Sequence, residues 1–470
     1  MTRVAILGGG PAGVGAAWRL RHEGKADVSV IERGTAVGGN AGSFEHAGHR
    51  LDYGSHRLHP ACAPEILADI RSFLGGSLLD RPRHGRIRLL GKWVHFPLKP
   101  ADLLLHLDKR FAAGSLRDLA AKALPRKSAP GEESFASVLE ASLGRTICRH
   151  FYFPYAVKIW GRDPAELSAI QARKRVSAGS FGKLARKVLA SVPGMKPPGA
   201  GRFFYPERGY GAIGEAYAAR ASELGAEILL GWTAASVERD GGRWRVRATG
   251  EGEERAIEAD HVWSTIPIPV LARMLRPAAP ADVLAAADAI RYRAMLLVYL
   301  EVGVDRFTEY DAHYFPGPDV AITRMSEPKN YAARAEPRGR TVLCAELPCE
   351  VGDRNWRADD AELGSIVERD LAASGIPLPA APIAVFARRL PQAYPIYPTG
   401  YERAFEPLDR WVGARGNLLT YGRQGLFAHD NTHHALAMAY AAVDCLADGV
   451  FDRVKWRAHR EVFATHVVED

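Results

Sequence analysis

Cysteine is scarce in this sequence. The 470 residues include five cysteines, at positions 62, 148, 344, 349 and 445. Their number is odd, no Cys-x-x-Cys pair occurs, and no group of cysteines and histidines has the spacing of a zinc site. The pattern argues against a disulfide framework and predicts no metal centre. It also indicates a reducing, cytoplasmic compartment in which the thiols are buried apolar side chains.

Long apolar runs are also missing. No stretch of about eighteen uninterrupted apolar residues occurs, so we expect no transmembrane helix. The apolar N-terminal residues are interrupted by glycines and favour a strand, a turn and a helix over a signal peptide. Residues 101–127 are apolar on one side and basic on the other, and we expect a solvated helical hairpin there in preference to a membrane-surface element.

Acidic residues are fewer than basic ones, at 54 Asp and Glu against 62 Lys and Arg, which gives a net charge of +8. This surplus favours anionic partners, and nucleic acid, acidic lipid, a phosphorylated substrate and a pyrophosphate cofactor all satisfy it. The length allows two or three lobes, since single cores stop growing near about 250–300 residues. Charge alone does not choose among these partners.

A strand–helix–strand unit opens the chain. Residues 3–7 form a short buried-strand pattern, a helical run follows, and residues 27–32 form a second strand that ends on Glu32. Three glycines at Gly-x-Gly-x-x-Gly spacing separate the first strand from the helix, in the context that dinucleotide binding requires. They permit a tight turn, backbone approach to a pyrophosphate and close helix–strand packing, while Glu32 can accept hydrogen bonds from a ribose. The residues expected at the pyrophosphate are Gly8, Gly10, Pro11, Ala12 and Gly13.

Three separated segments resemble the amine-oxidase-like FAD superfamily. After Glu32 and Arg33 come a Gly-Gly doublet and a hairpin that ends in Asp52-x-Gly54; residues 205–242 and 421–446 resemble two further fingerprints of that superfamily. The resemblance implies non-covalent FAD. Beyond the residues already named, it places these at the cofactor: Gly38, Gly39, Asn40, Gly54, Ser55, His56, Val237, Gly422, Arg423, Thr432, His433 and Ala435.

Within this superfamily, the segments 53–60, 151–161 and 389–397 are similar to UDP-galactopyranose mutases and to bacterial protoporphyrinogen-oxidase-like flavoproteins. The resemblance implies a set of candidate catalytic residues. Each of them has a structural alternative as well, such as a hairpin hydrogen bond, a surface ion pair, a helix face or a core position. The set is His56, Arg57, Lys158, Trp160, Tyr394, Tyr397 and Arg423.

The sequence departs from the mutase pattern at two places. Leu58 replaces a phenylalanine in the 53–60 segment, and His433 stands where relatives have an aspartate. The identity of the substrate is therefore not transferred from the mutases.

We predict an α/β fold with a Rossmann-type (GR2-like) FAD-binding domain that is discontinuous in sequence. Residues 1–80, 205–270 and 410–450 are expected to form it. Residues 81–204 are expected to be a mainly helical insertion, and residues 271–409 a substrate-binding domain with a mixed sheet.

The favoured function is an FAD-dependent oxidoreductase that acts on a small, anionic organic molecule by hydride transfer at flavin N5, with NAD(P)H as a candidate reductant. The alternative is a mutase of nucleotide sugars that uses reduced flavin N5 as a nucleophile. A remote alternative is a non-catalytic, GDI-like binding protein, against which the intact glycine fingerprint argues. We expect a small-molecule partner and no nucleic-acid partner, and leave the oligomeric state open.

Overall fold

The computed structural model describes residues 1–96, 109–122, 133–174 and 201–468. Of the expected hairpin at 101–127, one helix over Lys109–Lys122 is described, and residues 101–108 and 123–127 lie outside these ranges. Three larger sheets organise the described chain: a five-stranded parallel sheet, a four-stranded sheet and a seven-stranded mixed sheet. This is the α/β architecture that the sequence predicts.

The strands, in chain order, are β1 (Thr2–Leu7), β2 (Ala26–Glu32), β3 (Ser43–His46), β4 (His49–Asp52), β5 (Leu78–Pro82), β6 (Gly85–Leu89), β7 (Lys92–Phe96), β8 (Arg202–Pro206), β9 (Glu227–Leu230), β10 (Thr233–Asp240), β11 (Arg243–Gly250), β12 (Glu253–Ala259), β13 (His261–Ser264), β14 (Leu275–Arg276), β15 (Tyr292–Val302), β16 (Ala312–Tyr314), β17 (Arg324–Ser326), β18 (Thr341–Cys349), β19 (Ala384–Pro395), β20 (Leu418–Thr420), β21 (Leu446–Ala447) and β22 (Val450–Phe451).

The helices are α1 (Pro11–His22), α2 (Pro64–Leu74), α3 (Lys109–Lys122), α4 (Phe135–Leu143), α5 (Arg145–Ile147), α6 (Phe153–Trp160), α7 (Ala169–Arg173), α8 (Ala212–Glu223), α9 (Ile268–Met274), α10 (Ala281–Ala289), α11 (Pro328–Ala332), α12 (Arg354–Arg357), α13 (Asp360–Ala373), α14 (Glu402–Gly413), α15 (Gly422–Gly425), α16 (Thr432–Asp444) and α17 (Arg453–Ala464). Short 3-10 turns span Gly39–Ala41 and Gly75–Ser77, and a π-helical turn spans Cys148–Tyr152.

The parallel sheet has the strand order β20-β13-β1-β2-β9, so its strands come from widely separated parts of the chain. The apolar run from Val4 to Leu7 is buried because both faces of such a sheet are covered. Gly8 has φ +99° and turns the chain sharply from β1 into α1, where Pro11 occupies the first turn. The strand–glycine–helix–strand unit predicted from the sequence is confirmed.

The helices on one face of this sheet pack closely through small residues. A Cβ at Gly15 of α1 would lie 2.7 Å from Leu436 Cδ2 of α16, so the glycine lets the two helices approach. Around this contact the Trp18 ring meets Tyr217 of α8 and Phe73 of α2 edge to face. The close packing fixes the start of α16 against the start of α1.

The seven-stranded sheet has the order β19-β15-β18-β17-β16-β6-β7 and is largely antiparallel. Its central strands β15 and β18 are buried along most of their lengths, with α13 packed on one face. Two of its strands, β6 and β7, come from the region expected to be a mainly helical insertion. Residues 85, 87 and 89 of β6 are buried and alternate with partly exposed residues. This period of two is the pattern of a β-strand, which is why the region forms strands.

A second difference concerns the region after residue 270. Helices α9 and α10 pack with α14 and with the four-stranded sheet, in the same core as Val237 and Val246. This part of the expected substrate-binding domain therefore packs on the side of the parallel sheet. Among the described residues, no helix combines the length and the apolarity needed to cross a bilayer.

The close approach of α1 to the turn after β1 can be tested by substitution of Gly13. A Cβ at this position would lie 1.9 Å from the carbonyl oxygen of Gly8, whereas a Cβ at Gly10 would meet nothing within 4 Å. We expect Gly13→Ala to lower the unfolding free energy by roughly 2–4 kcal/mol, because overpacking against rigid backbone forces the helix to move. Gly413→Ala, at the exposed end of α14 where a Cβ would also meet nothing within 4 Å, is the control and should not lower the unfolding free energy. Urea denaturation measures both, and equal stabilities would contradict the predicted contact.

Candidate active site

A continuous cavity of about 400 Å³ lies where the carboxyl ends of β1, β2 and β13 face the seven-stranded sheet. In open parallel sheets this edge is where ligands bind. The volume lies in the range of about 300–1,000 Å³ that is usual for small-molecule sites. Of the residues predicted from the sequence, those lining the cavity are Gly8, Gly10, Pro11, Ala12, Glu32, Arg33, Gly39, Asn40, Ser55, His56, Arg57, Tyr394, Arg423, Thr432 and Ala435.

The sheet end of the cavity is built to receive an anion. Gly10 caps the N-terminus of α1 without any side-chain hydrogen bond, and a Cβ there would meet nothing within 4 Å. The backbone N–H groups of a helix start attract negative charge, and the glycine keeps the approach open. Beside it, the carboxylate of Glu32 accepts hydrogen bonds from Gly9 N at 2.6 Å and Gly34 N at 2.7 Å. The strand end and the glycine turn are thereby held in one arrangement.

Three residues that the sequence did not single out, Trp232, Thr233 and Ala234, also line this end. The predicted contact in this segment, Val237, is instead fully buried in the core and pairs with Val246 and Leu275. The residues that face the cavity are therefore 232–234, just before Val237. A register shift interrupts β10 near Ala234, between these residues and Val237. Such a shift is not visible in the sequence pattern.

The middle of the cavity is formed by the segment from Asp52 to Arg57. The buried carboxylate of Asp52 accepts from Ser43 Oγ at 2.6 Å, Tyr205 Oη at 2.6 Å and Tyr210 N at 2.9 Å. Burial raises the pKa of Asp52 although these donors oppose the effect. The hairpin β3–β4 is therefore fastened to the start of α8 just before the segment enters the cavity.

His56 lies in this segment with its ring stacked on Tyr210, the ring centroids being 5.3 Å apart. Its Nε2 is 2.9 Å from the carbonyl oxygen of Tyr53, which can only accept, so Nε2 carries the proton. Burial lowers the pKa of His56 and favours the neutral ring. A neutral imidazole held in this way has Nδ1 as a hydrogen-bond acceptor.

The far end of the cavity contains two arginines, each held by a buried carboxylate. Arg57 Nη2 is 3.2 Å from Asp311 Oδ1 and 3.1 Å from the Tyr331 hydroxyl. Arg324 forms two hydrogen bonds of 2.9 Å with Glu346. Glu346 Oε1 also accepts from Ser55 N at 3.0 Å, and so connects the two lobes across the cavity. Carboxylate partners in fixed geometry keep both guanidinium groups oriented before a ligand arrives.

Aromatic side chains form another wall. Tyr394 stacks on His429 with ring centroids 5.2 Å apart, and the Arg423 guanidinium lies 5.3 Å from the Tyr394 ring centroid. Arg423 Nη2 also donates to the Ala393 carbonyl at 2.6 Å. Tyr155, Ile159 and Tyr314 extend this wall, which gives the far end both apolar surface and cationic groups.

Lys158 was expected to bind an anionic part of the substrate, and the structure does not bring it to the cavity. Its Nζ donates to three backbone carbonyls, of Phe315 at 2.6 Å, Gly317 at 3.0 Å and Ile322 at 2.6 Å. Burial lowers the pKa of Lys158 to about 8. This lysine therefore holds the helical region against the loop after β16. The prediction that Lys158 contacts the substrate is not supported by this position.

Several other predicted residues lie behind the cavity wall. Trp160 is 3% exposed and packs against Phe135, and Tyr397 is buried with its hydroxyl donating to the Phe427 carbonyl at 2.5 Å. His433 is also buried, with its ring next to His434, in the first turn of α16. None of these three side chains lines the cavity. The glycines that frame the cavity without lining it are Gly13, Gly38, Gly54 and Gly422.

Sequence reasoning missed other residues that line the cavity or hold its arginines. Four of them, Tyr314, Arg324, Glu346 and Gln392, lie on strands of the mixed sheet, where no motif marks them and only the long-range strand order brings them to residues 55–57. A charged residue inside a short apolar strand was the one available signal, as at Glu346 in β18 and Arg324 in β17. The missed residues are Arg83, Tyr155, Tyr210, Asp311, Tyr314, Thr323, Arg324, Tyr331, Glu346, Gln392, Gln424, His429 and Asp430.

A flavin nucleotide fits this arrangement. The uncapped start of α1 suits a pyrophosphate, and Glu32 suits a ribose beside it. Next to them, Gly39 has φ +52°, and a Cβ there would lie 3.4 Å from Gly10 Cα, so this wall consists of bare backbone that a planar ring can approach. The cavity then continues to His56 and the start of α16.

Comparisons with known proteins agree with this geometry. Residues 11–434 match the family described as flavin containing amine oxidoreductase. A phytoene dehydrogenase from Streptomyces griseus is 27% identical over 418 residues, covering 79% of this chain and 77% of the relative. A solved structure of reduced UDP-galactopyranose mutase superposes with a TM-score of 0.78 at 20% identity, covering 94% of this chain and 93% of the other. A putative protoporphyrinogen oxidase from Exiguobacterium sp. 255-15 gives a TM-score of 0.71 at 20% identity, covering 94% and 98%.

The three carbonyl contacts of Lys158 predict a structural effect without a binding effect. We expect Lys158→Met to lower the unfolding free energy by roughly 2–4 kcal/mol, because buried acceptors lose their donor. Retention of the flavin on dilution should stay unchanged. Exposed Lys92 provides the control as Lys92→Met, with a change below about 0.5 kcal/mol. Chemical denaturation and flavin absorbance measure the two effects, and a stable Lys158→Met variant that loses flavin would contradict the correction.

Proposed function

Since the chain belongs to the family of flavin-containing amine oxidoreductases, we propose that it is an FAD-dependent oxidoreductase for a small organic substrate with an anionic group. The reaction proposed is hydride transfer at flavin N5. The observation that carries the proposal is one continuous cavity that runs from Gly10 and Glu32 to the cationic side chains of Arg57 and Arg324. The relative named phytoene dehydrogenase supports redox chemistry over group transfer.

The residues at the sheet end would hold FAD. The start of α1 would bind the pyrophosphate, Glu32 the ribose of the adenosine part, and 232–234 the adenine. Ser55, His56 and Thr432 would face the isoalloxazine. All five cysteines are buried and none lines the cavity, which supports non-covalent binding. When bound, the flavin supplies a two-electron acceptor or donor, with NAD(P)H as a candidate partner in the other half-reaction.

The chain itself would position the substrate and exclude water. The Arg57 side chain is only 8% exposed and lines the cavity. A ligand carboxylate at the cavity face of this guanidinium would form a charge-assisted hydrogen bond with it. The Tyr394–His429 wall would hold an apolar or planar part of the same molecule. The neutral His56, with Nδ1 as an acceptor, could receive a proton from a substrate oxygen or nitrogen.

The function is tested by reconstituting the protein with 5-deaza-FAD and following single turnovers of candidate substrates. Hydride transfer needs an acceptor at ring position 5, which a carbon provides, so we expect oxidation or reduction of the substrate to persist. A mutase needs a nucleophilic nitrogen there. Turnover of UDP-galactose that requires prior reduction of FAD, consumes no reductant and disappears with the deaza analogue would overturn the proposal.

Glu32 is expected to support FAD binding both by a contact to the ribose and by holding the glycine turn through Gly9 N and Gly34 N. Replacing it by alanine removes the acceptors for a ribose diol, and the loss of charge-assisted hydrogen bonds should weaken FAD binding by about 1.5–3 kcal/mol. The dissociation constant is measured by flavin fluorescence on dilution. Glu32→Gln keeps one acceptor and should fall between the parent and Glu32→Ala, while unchanged FAD affinity in both variants would refute the assignment.

Arg57 is expected to bind the anionic group of the substrate. Benzoate serves as the probe, since it combines an aromatic ring with a carboxylate and its binding is read from the visible spectrum of bound flavin. Arg57→Lys keeps the charge against Asp311 but loses the fork geometry, and its Kd for benzoate should rise roughly tenfold, or about 1.4 kcal/mol. Arg247→Lys, on the exposed face of β11, is the control. A Kd that is unchanged by Arg57→Lys and by salt would point to an apolar substrate.

A further inference from the structure

Three distant parts of the chain meet at the wall of the cavity. Lys174 follows α7, Asp430 precedes α16, and residues 465–468 follow α17. Asp430 and Val468 both line the cavity. The segment 465–468 therefore contributes to the wall of the substrate chamber, although neither the family resemblance nor any sequence motif marks it.

The segment is held by specific contacts. Val468 N donates to the Lys174 carbonyl at 2.7 Å, and His466 Nδ1 lies 3.3 Å from Asp430 Oδ2. Lys174 Nζ lies 3.5 Å from both Asp430 Oδ1 and the Phe463 carbonyl. The Asp430 side chain is fully buried, so salt screens this contact less than it would screen an ion pair on the surface. Burial alone would raise the pKa of Asp430, but the His466 hydrogen bond and the Lys174 charge outweigh it, and the pKa is lowered.

Asp430, His434 and His466 also come within the spacing of metal ligands. Their geometry does not suit a metal ion, because the His434 and His466 rings are stacked 4.2 Å apart with an interplanar angle of 15°. Lone pairs in two nearly parallel ring planes do not converge on one point. In addition, His434 Nδ1 accepts from Asn431 N at 3.2 Å, and the Lys174 ammonium already faces the carboxylate. The cluster is an ion-pair network that anchors residues 465–468.

The helix before the segment is itself firmly attached. Trp456 and Phe463 of α17 are buried in the main core, and Arg460 pairs with both carboxylate oxygens of Asp409 at 2.9 and 3.0 Å. Because α17 is packed in this way, residues 465–468 begin from a fixed point beside the cavity. Their contacts with Lys174 and Asp430 then hold them there. The position of residue 468 is therefore determined from both sides.

We propose that residues 465–468 form a fixed wall of the substrate chamber and that Val468 is a specificity-determining residue that limits the bulk of the substrate. The Lys174–Asp430–His466 contact is the positioning element that keeps the wall closed. The inference about selectivity rests on the proposed function, whereas the position of residues 465–468 in the wall does not.

The position of residues 465–468 in the cavity wall is tested first, by a measurement that does not depend on the flavin. The native cysteines are all buried, so a single reporter thiol in the otherwise native chain, Val468→Cys, can be followed with fluorescein maleimide. Its labelling should be at least about tenfold slower than that of Val462→Cys, because Val462 is 58% exposed on α17. Adding His466→Ala should speed the labelling at position 468 severalfold and leave the labelling at position 462 unchanged. Equal rates for the two reporter variants would overturn the proposal.

Selectivity is tested with two probes of one chemistry, benzoate and the bulkier 4-phenylbenzoate, titrated against the FAD-loaded protein. Val468→Ala should improve binding of 4-phenylbenzoate relative to benzoate about tenfold. Val468→Trp should weaken benzoate by a similar factor while flavin is retained, and Val462→Trp is the control. Slow labelling of the Val468→Cys variant together with an unchanged preference in the alanine and tryptophan variants would overturn the specificity role. Failure of the proposed function, by contrast, would appear as a protein that binds no flavin and yet still protects the thiol at position 468.

Discussion

The site depends on how the backbone between Asp52 and Arg57 is held between two buried carboxylates. Asp52 fixes the start of this segment to the lobe of the parallel sheet, and Glu346 accepts from Ser55 N and holds it to the mixed sheet. Backbone that faces a cavity needs such partners, because unpaired buried amides are costly. The two carboxylates therefore position His56 and Arg57 and at the same time join the lobes that enclose the chamber.

Buried carboxylates also govern the charge of the chamber. Glu346 and Asp311 each face an arginine, so the far end presents two oriented guanidinium groups without a large net charge. Such paired cations avoid the full desolvation cost of an isolated buried charge and remain able to form hydrogen bonds with a ligand anion. Specificity can then come from the geometry of the fork rather than from attraction at long range. The overall surplus of basic residues, which first suggested an anionic ligand, is a weaker argument than this local arrangement.

Local sequence patterns predicted the sheet end of the cavity well and the end that contains the two arginines poorly. The glycine turn, Glu32, the β10–β11 hairpin and the start of α16 are each determined by spacing within one short segment, and all of these elements are present. Arg324 and Glu346 come from the interior of a mixed sheet whose strand order is set by tertiary packing, which a single sequence does not reveal. Lys158 shows the converse error. Its motif was visible, but the three carbonyls that occupy its ammonium group lie 157 to 164 positions further along the chain.

The contrast between Lys158 and Arg57 shows how a buried cation can be assigned. Both are basic residues in segments that resemble the mutases, 53–60 and 151–161, and both are largely buried. Lys158 has its donors satisfied by backbone carbonyls away from the cavity, so its charge is used to hold a loop. Arg57 lines the cavity, and its Nη2 is held by Asp311 and Tyr331. Because a guanidinium has five N–H donors in a fixed geometry, one that lines a cavity can bind a ligand carboxylate while it keeps its structural partners. The position of each cation relative to the cavity therefore separates two residues that look alike in the sequence.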